Sequence, residues 1–227
     1  MKSGALKFGM VLFLALSSLA WAAPPQFTAQ KRVGMTTGDQ WEPALAADGA
    51  GRVYVLYPQY GRVPGCTDCL VPTMLLLVSN DNGKTWQAPH VMLESGSGQF
   101  DPQIAVDPAD RRTVYAIWLQ SSKREIVLAK SMDAGATWAF AVAARSAVEL
   151  DKPALAVRGP NVYVGFNHEE EVWAAYSSDG GRSFTPTRVN SQERAGCRCW
   201  AARRWTLPET RTWRGLPTPR PAGRAAR

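Results

Sequence analysis

An all-β fold built from repeated four-stranded sheets is what this 227-residue sequence predicts, and three observations predict it. First, one octet recurs: Ser79 to Trp86, Ser131 to Trp138 and Ser177 to Phe184 each read Ser-x-Asp-x-Gly-x-Ser/Thr-aromatic. Its aspartates, Asp81, Asp133 and Asp179, are spaced 52 and 46 residues apart. Second, each octet is embedded in short β-branched and aromatic runs separated by Gly, Asp and Asn, which is how strands and their turns read. Third, no stretch after residue 25 carries a helical period.

The elements follow in the same order in every repeat. The first run opens on an acidic residue and a proline: Glu42-Pro43-Ala44-Leu45, Asp101-Pro102-Gln103-Ile104 and Asp151-Lys152-Pro153-Ala154-Leu155. The second is Val53 to Tyr57, Val114 to Trp118 and Val162 to Phe166, each with a tyrosine at its second place: Tyr54, Tyr115 and Tyr163. That recurrence predicts packing inside or between sheets. The third run enters the octet at Met74 to Val78, Ile126 to Lys130 and Val172 to Tyr176, and the fourth leaves it from the aromatic residue. The octet itself is turn chemistry. A short carboxylate bonds backbone amides a few residues on, and Gly83, Gly135 and Gly181 tolerate positive φ. Ser79, Ser131 and Ser177 add a local hydroxyl bond. The closing Trp86, Trp138 and Phe184 bury a ring. Three equivalent copies are expected to be structural, since they cannot all occupy one reacting centre.

Four strands per unit at this period make a propeller blade. Over residues 40–192 the chain resembles the Asp-box, or BNR-repeat, sialidase superfamily. The resemblance implies a six-bladed β-propeller family, of which about three blades are present in this chain. It also implies exo-sialidase (neuraminidase) or other glycoside hydrolase activity at the centre of one face, with the boxes on the rim. The family's chemistry uses an arginine triad against a substrate carboxylate, a Tyr nucleophile activated by Glu, and an Asp acid/base. Where the family's first arginine is expected, this chain has Trp41-Glu42-Pro43. Trp41 replaces the cation and Glu42 repels a carboxylate, which argues against sialic acid. Arg62 and Asp68 fall where the resemblance implies a loop bearing the acid/base Asp, so Asp68 is the candidate acid/base and Arg62 its companion. The alternative for Asp68 is a solvated turn residue.

Cys66-Thr67-Asp68-Cys69 sits in that enlarged loop and predicts a local disulfide in an oxidising compartment. A metal site would need two further ligands at suitable spacing, and haem attachment would need a histidine where Leu70 stands. No metal and no cofactor are therefore expected. His90 and His168 read as surface loop residues, and Glu169-Glu170-Glu171 as a solvated hairpin tip.

Residues 1–22 read as a secretory signal: Lys2 and Lys7, an apolar run from Met10 to Ala20, and Ala20-Trp21-Ala22. The run is too short for a membrane span, and the expected location is secreted or periplasmic. Residues 23–194 form the partial propeller. Residues 195–227 hold eight Arg, one Glu, four Pro and three Trp without a strand pattern. Their +7 equals the net charge of the whole chain, so the basic balance is a tail property and no nucleic-acid partner is expected. The expectation is a shifted reading frame and a disordered tail. Codons read from their third bases, starting in Cys199, allow a run matching Ala105 to Asp110 and Val114 to Trp118. On that reading Cys197 and Cys199 carry no function, and the chain as written is expected to aggregate or be degraded and to be inactive by itself. Two functions stay open: a glycoside hydrolase acting on glycans or sialoglycoconjugates, and a non-catalytic exported propeller that binds a glycan or protein partner.

Overall fold

The structure, a computed structural model, describes residues 29–69, 71–93, 95 and 97–190. The predicted signal and the arginine-rich tail lie outside the described residues. Among those residues there are thirteen strands in three antiparallel sheets and no helix. The first sheet joins β1 (Asp39–Gln40), β2 (Ala44–Ala47), β3 (Val53–Tyr60), β4 (Thr73–Ser79) and β5 (His90–Val91). The second runs β6 (Phe100–Val106), β7 (Val114–Gln120), β8 (Glu125–Ser131) and β9 (Ala139–Arg145). The third runs β10 (Leu150–Arg158), β11 (Asn161–His168), β12 (Glu171–Ser177) and β13 (Thr185–Arg188). The second and third are up-and-down meanders, while in the first β1 and β2 both pair with β3; β2, β6 and β10 come together, with β6 touching both β2 and β10. This is the all-β, partial-propeller architecture expected from the repeats.

Period-two alternation explains the packing. Tyr54, Leu56, Met74, Leu76 and Val78 of the first sheet meet Val114, Ala116, Trp118, Val127 and Ala129 of the second. The opposite face of the second sheet, Tyr115, Ile117, Leu119, Ile126 and Leu128, meets Val162, Val164, Phe166 and Ala175 of the third. Buried on both faces, β7 must be apolar throughout, and the run Val114 to Leu119 is. The outer face of the first sheet is not bare. Val33 and Met35 lie over Tyr57, Leu75 and Leu77, and the Met35 amide donates to Tyr57 Oη at 3.3 Å.

The tyrosine series ends differently from the expectation. Tyr54 is 1% exposed and its hydroxyl donates to the Ala134 carbonyl, inside the next sheet's octet, at 3.0 Å. Tyr115 is 1% exposed and lies beside Gly180 of the third octet, where Lys130 Nζ donates to the Gly180 carbonyl at 3.1 Å. Tyr163 is 48% exposed, stacked at 5.0 Å on the half-exposed Tyr176. The physical reason is that no further sheet among the described residues covers that face. Substituting lysine at both Tyr163 and Tyr176 is expected to raise soluble yield without lowering the melting temperature, because the change breaks an exposed apolar face.

The octets close by their own side chains. In the first, Ser79 Oγ donates to Asp81 Oδ1 at 2.8 Å and accepts the Gly83 amide at 2.8 Å. Thr85 donates its amide to Asp81 Oδ1 at 2.8 Å and its hydroxyl to Oδ2 at 2.6 Å. Ser131, Asp133 and Thr137 repeat the pattern, as do Ser177, Asp179 and Ser183. These donors, the Thr85 hydroxyl first, pull Asp81 down to about 2, and the equivalent donors hold Asp133 and Asp179 well below the usual carboxylate range. A depressed carboxyl stabilises the fold above its ordinary pKa and loses that contribution as pH falls through the folded value. Unfolding experiments are therefore expected to show stability dropping between about pH 4 and pH 2, and a triple Asp→Asn variant of the octets to show a flatter profile there.

Candidate functional site

Strand register sorts the chain's chemistry onto two ends of the sheets. In the first sheet Ala44 pairs with Leu56 and Ala47 with Val53, so Glu42 lies toward the end where β3 finishes at Tyr60. Ser79 pairs with Val53, so the octet leaves from the opposite end. Phe100 pairing with Leu119 and Ser131 with Val114 repeat this arrangement in the second sheet, and Leu150 with His168 and Ser177 with Val162 repeat it in the third. The octets therefore share one end of the assembly, and the starts of β2, β6 and β10 share the other.

At that other end a cavity of about 350 Å³ opens between the three first strands, lined by Glu42, Pro43, Asp101, Pro102, Gln103, Lys152 and Pro153. One residue before each proline has left-handed backbone: Glu42 at φ 44°, Asp101 at 49° and Lys152 at 49°. Ladder register breaks at the same places, between Phe100 and Gln103 and between Asp151 and Ala154. Proline supplies no ladder donor and restricts the residue before it, and a bulge re-aims a side chain at a sheet rim. The repeat thus turns three charged side chains into one space. Non-glycine residues in this conformation cost about 1–3 kcal/mol each, and here the cost recurs three times around a single cavity.

Lys152 Nζ lies 3.7 Å from Glu42 Oε1, 3.8 Å from Asp101 Oδ2 and 4.0 Å from Asp151 Oδ1. Asp101 Oδ2 is buried and has no hydrogen-bond partner. Burial first, then the Glu42 carboxyl beside it, pushes Asp101 above its ordinary value. Glu42, half exposed, goes the other way: the adjoining Asp101 carboxyl, which can share a proton with it, and then Lys152 outweigh burial and hold it low. Burial works against the Lys152 ammonium, but Asp101, Asp151 and Glu42 together raise it. Tyr60 is raised by burial and by the charges of Glu42 and Asp101. Two neighbouring carboxyls whose pKa values are driven apart form the arrangement from which acid and base roles arise.

Arg62 and Asp68 lie in the β3–β4 loop, at this same end of the first sheet, and both are exposed. Neither lines the cavity. Cys66 and Cys69 of the loop are joined by a disulfide. Glu42, Asp101 and Lys152 went unrecognised as a group in the sequence, although the charge-before-proline pattern was visible in all three repeats. His168 is a correction: it ends β11, half buried, with Nε2 at 2.9 Å from Ser146 Oγ, in a smaller cavity of about 280 Å³ walled by Leu150, Phe166 and Trp173. The Leu150–His168 pairing draws it in from the surface. Among the described residues no group of three or more His, Cys, Asp or Glu is placed to hold a metal, and no helix is long and apolar enough to cross a membrane.

The BNR/Asp-box repeat family model matches residues 77–88, which contain the first octet. No curated protein matches the chain. Among solved structures, the GH93 α-L-arabinofuranosidase of Fusarium graminearum in complex with arabinobiose superimposes with a TM-score of 0.51 at 16% identity, over 70% of this chain and 51% of that one. The Penicillium chrysogenum α-L-arabinanase complexed with arabinobiose gives 0.50 at 15% identity, over 69% and 51%. The Trypanosoma rangeli sialidase bound to the inhibitor DANA gives 0.46 at 16% identity, over 65% of this chain and 28% of that one. The chain spans about half the length of the first two and under a third of the sialidase. Three octets on three successive antiparallel sheets, the first octet matched by the BNR/Asp-box repeat model, and the superpositions on the arabinofuranosidase and the arabinanase give the chain a partial β-propeller fold that carries Asp-box repeats.

Proposed function

We propose that this chain contributes the acid–base half of a glycan-processing site in an exported sialidase-like propeller. The observation that carries the reading is the pair Glu42 and Asp101, neighbours on one cavity, with their proton affinities driven in opposite directions. Glycoside cleavage needs one carboxyl that keeps its proton, for the leaving oxygen, and one that is ionised. Asp101, buried and raised, takes the first role. Glu42, held low by the adjoining Asp101 carboxyl and then by Lys152, takes the second: it accepts a proton from water, or faces the positive charge that develops on the sugar. The residues that bind the rest of the sugar come from blades beyond the three described, so the 1–227 chain alone binds glycan without turning it over. Signal-directed export to the periplasm or medium belongs to the same proposal.

The second reading, a propeller that binds glycan or protein without catalysis, is favoured by one observation. Trp41 stands where the resemblance implies an arginine, so the sialidase carboxylate clamp is incomplete. A panel of neutral and sialylated chromogenic glycosides, assayed with a complete propeller carrying this sequence, separates the two. Turnover of any of them that is lost in Asp101→Asn supports the acid–base reading. Binding with no turnover across the panel supports the second.

A further inference from the structure

We infer that Trp41, braced on Tyr60, is a sugar-stacking wall at the mouth of the axial cavity and makes the site selective for neutral sugars; this rests on reading Glu42 and Asp101 as the reacting pair. Trp41 is 58% exposed, an unusual position for so large an apolar side chain. It is nevertheless held in place: its ring centre lies 5.4 Å from that of Tyr60, tilted by 39°. Its backbone adjoins Glu42, whose side chain lines the cavity, and Tyr60 senses the charges of Glu42 and Asp101. The indole is thus one residue along the chain from a cavity-lining carboxyl, packed on Tyr60 and more than half open to solvent.

A neutral sugar ring suits that arrangement. It offers an apolar C–H face to an aromatic side chain and hydroxyls to carboxylates, the usual division of a binding site into apolar walls and a few placed polar groups. An acidic sugar does not suit it. Among the described residues no arginine lines the cavity, so none of them offers a substrate carboxylate a bidentate guanidinium. Lys152 is already shared among Glu42, Asp101 and Asp151, and Lys123 sits over the Phe100 ring at 5.4 Å. A ligand carboxylate would meet Glu42 with both nearby ammonium groups engaged.

Calorimetric titration of the full chain with arabinobiose, lactose and sialyllactose tests this. Arabinobiose or lactose is expected to bind, sialyllactose at least about tenfold more weakly than the better of them. Trp41→Ala is expected to weaken the neutral sugar about tenfold or more with an unchanged melting temperature, and Trp41→Phe to restore most of the affinity. Equal affinity of Trp41→Ala and the parent, sialyllactose binding as tightly as the neutral sugars, or no binding of either neutral sugar would overturn it. Glycan hydrolysis by a complete propeller carrying this sequence is the separate readout for the acid–base pair. Loss of binding in Trp41→Ala with unaltered turnover in Asp101→Asn would sink the catalytic reading and leave the stacking wall standing.

Discussion

Replacing Tyr54 or Tyr115 by alanine is expected to lower the free energy of unfolding by about 3–5 kcal/mol, as for other large buried aromatics, whereas the same change at Tyr163 is expected to cost less than about 0.5 kcal/mol. The three tyrosines occupy one position of one repeat, so local propensity predicts equal effects. Their surroundings differ. Tyr54 fills the seam between the first two sheets and donates to Ala134, and Gly135 is close enough that a Cβ there would stand 3.1 Å from the tyrosine ring. Tyr115 fills the second seam beside Gly180 and carries Lys130 over its ring at 5.3 Å. Removing either ring opens a cavity and strands the facing octet turn. Tyr163 has no seam to fill. Chemical denaturation followed by tryptophan fluorescence measures all three, and equal losses would mean that the seams do not carry the stability assigned to them.

In a complete propeller carrying this sequence, Asp101→Asn is expected to reduce glycan turnover by about 10²–10⁴-fold, the usual contribution of a positioned general acid, with far less effect on sugar affinity. Glu42→Gln should produce a loss of similar size. Lys152→Met gives the more discriminating result. Lys152 lowers both carboxyls, so removing it raises both pKa values. The acid limb of the pH–rate profile, set by ionisation of Glu42, moves to higher pH, and so does the alkaline limb set by loss of the Asp101 proton. The whole bell is expected to shift upward together. An unshifted profile would show that the lysine does not govern the pair, and a shift of one limb alone would show that only one of the two carboxyls reacts.

The octets were legible in the sequence because their hydrogen bonds run within five residues of the chain: Ser79 to Asp81 and Gly83, and Asp81 to Thr85. Strand order from β2 onward was legible for the same reason, since each of those strands pairs with its neighbour in sequence within its sheet. The candidate site was not. Glu42, Asp101 and Lys152 come from three repeats and meet only where β2, β6 and β10 converge, a relation set by how the sheets are arranged. Read alone, Glu42 was a carboxylate beside Trp41, the residue standing in place of an expected arginine. Beside Asp101 and Lys152 it becomes one member of a triad. The cover that Val33 and Met35 lay over Tyr57 and Leu77 was also invisible, because that segment has no strand pattern and its role lies wholly in the surface it protects. Tyr163 shows the converse limit: a repeat position predicts burial only if the next repeat is there to bury it.

Crystals of the protein soaked with arabinobiose would test the central claim most directly, that ligand chemistry resides at the convergence of the first strands and that the octets are structural. The account predicts the sugar in the cavity between Glu42, Asp101 and Lys152, one ring face against Trp41. Sugar bound at the octet end, around Asp81, Asp133 or Asp179, would contradict it.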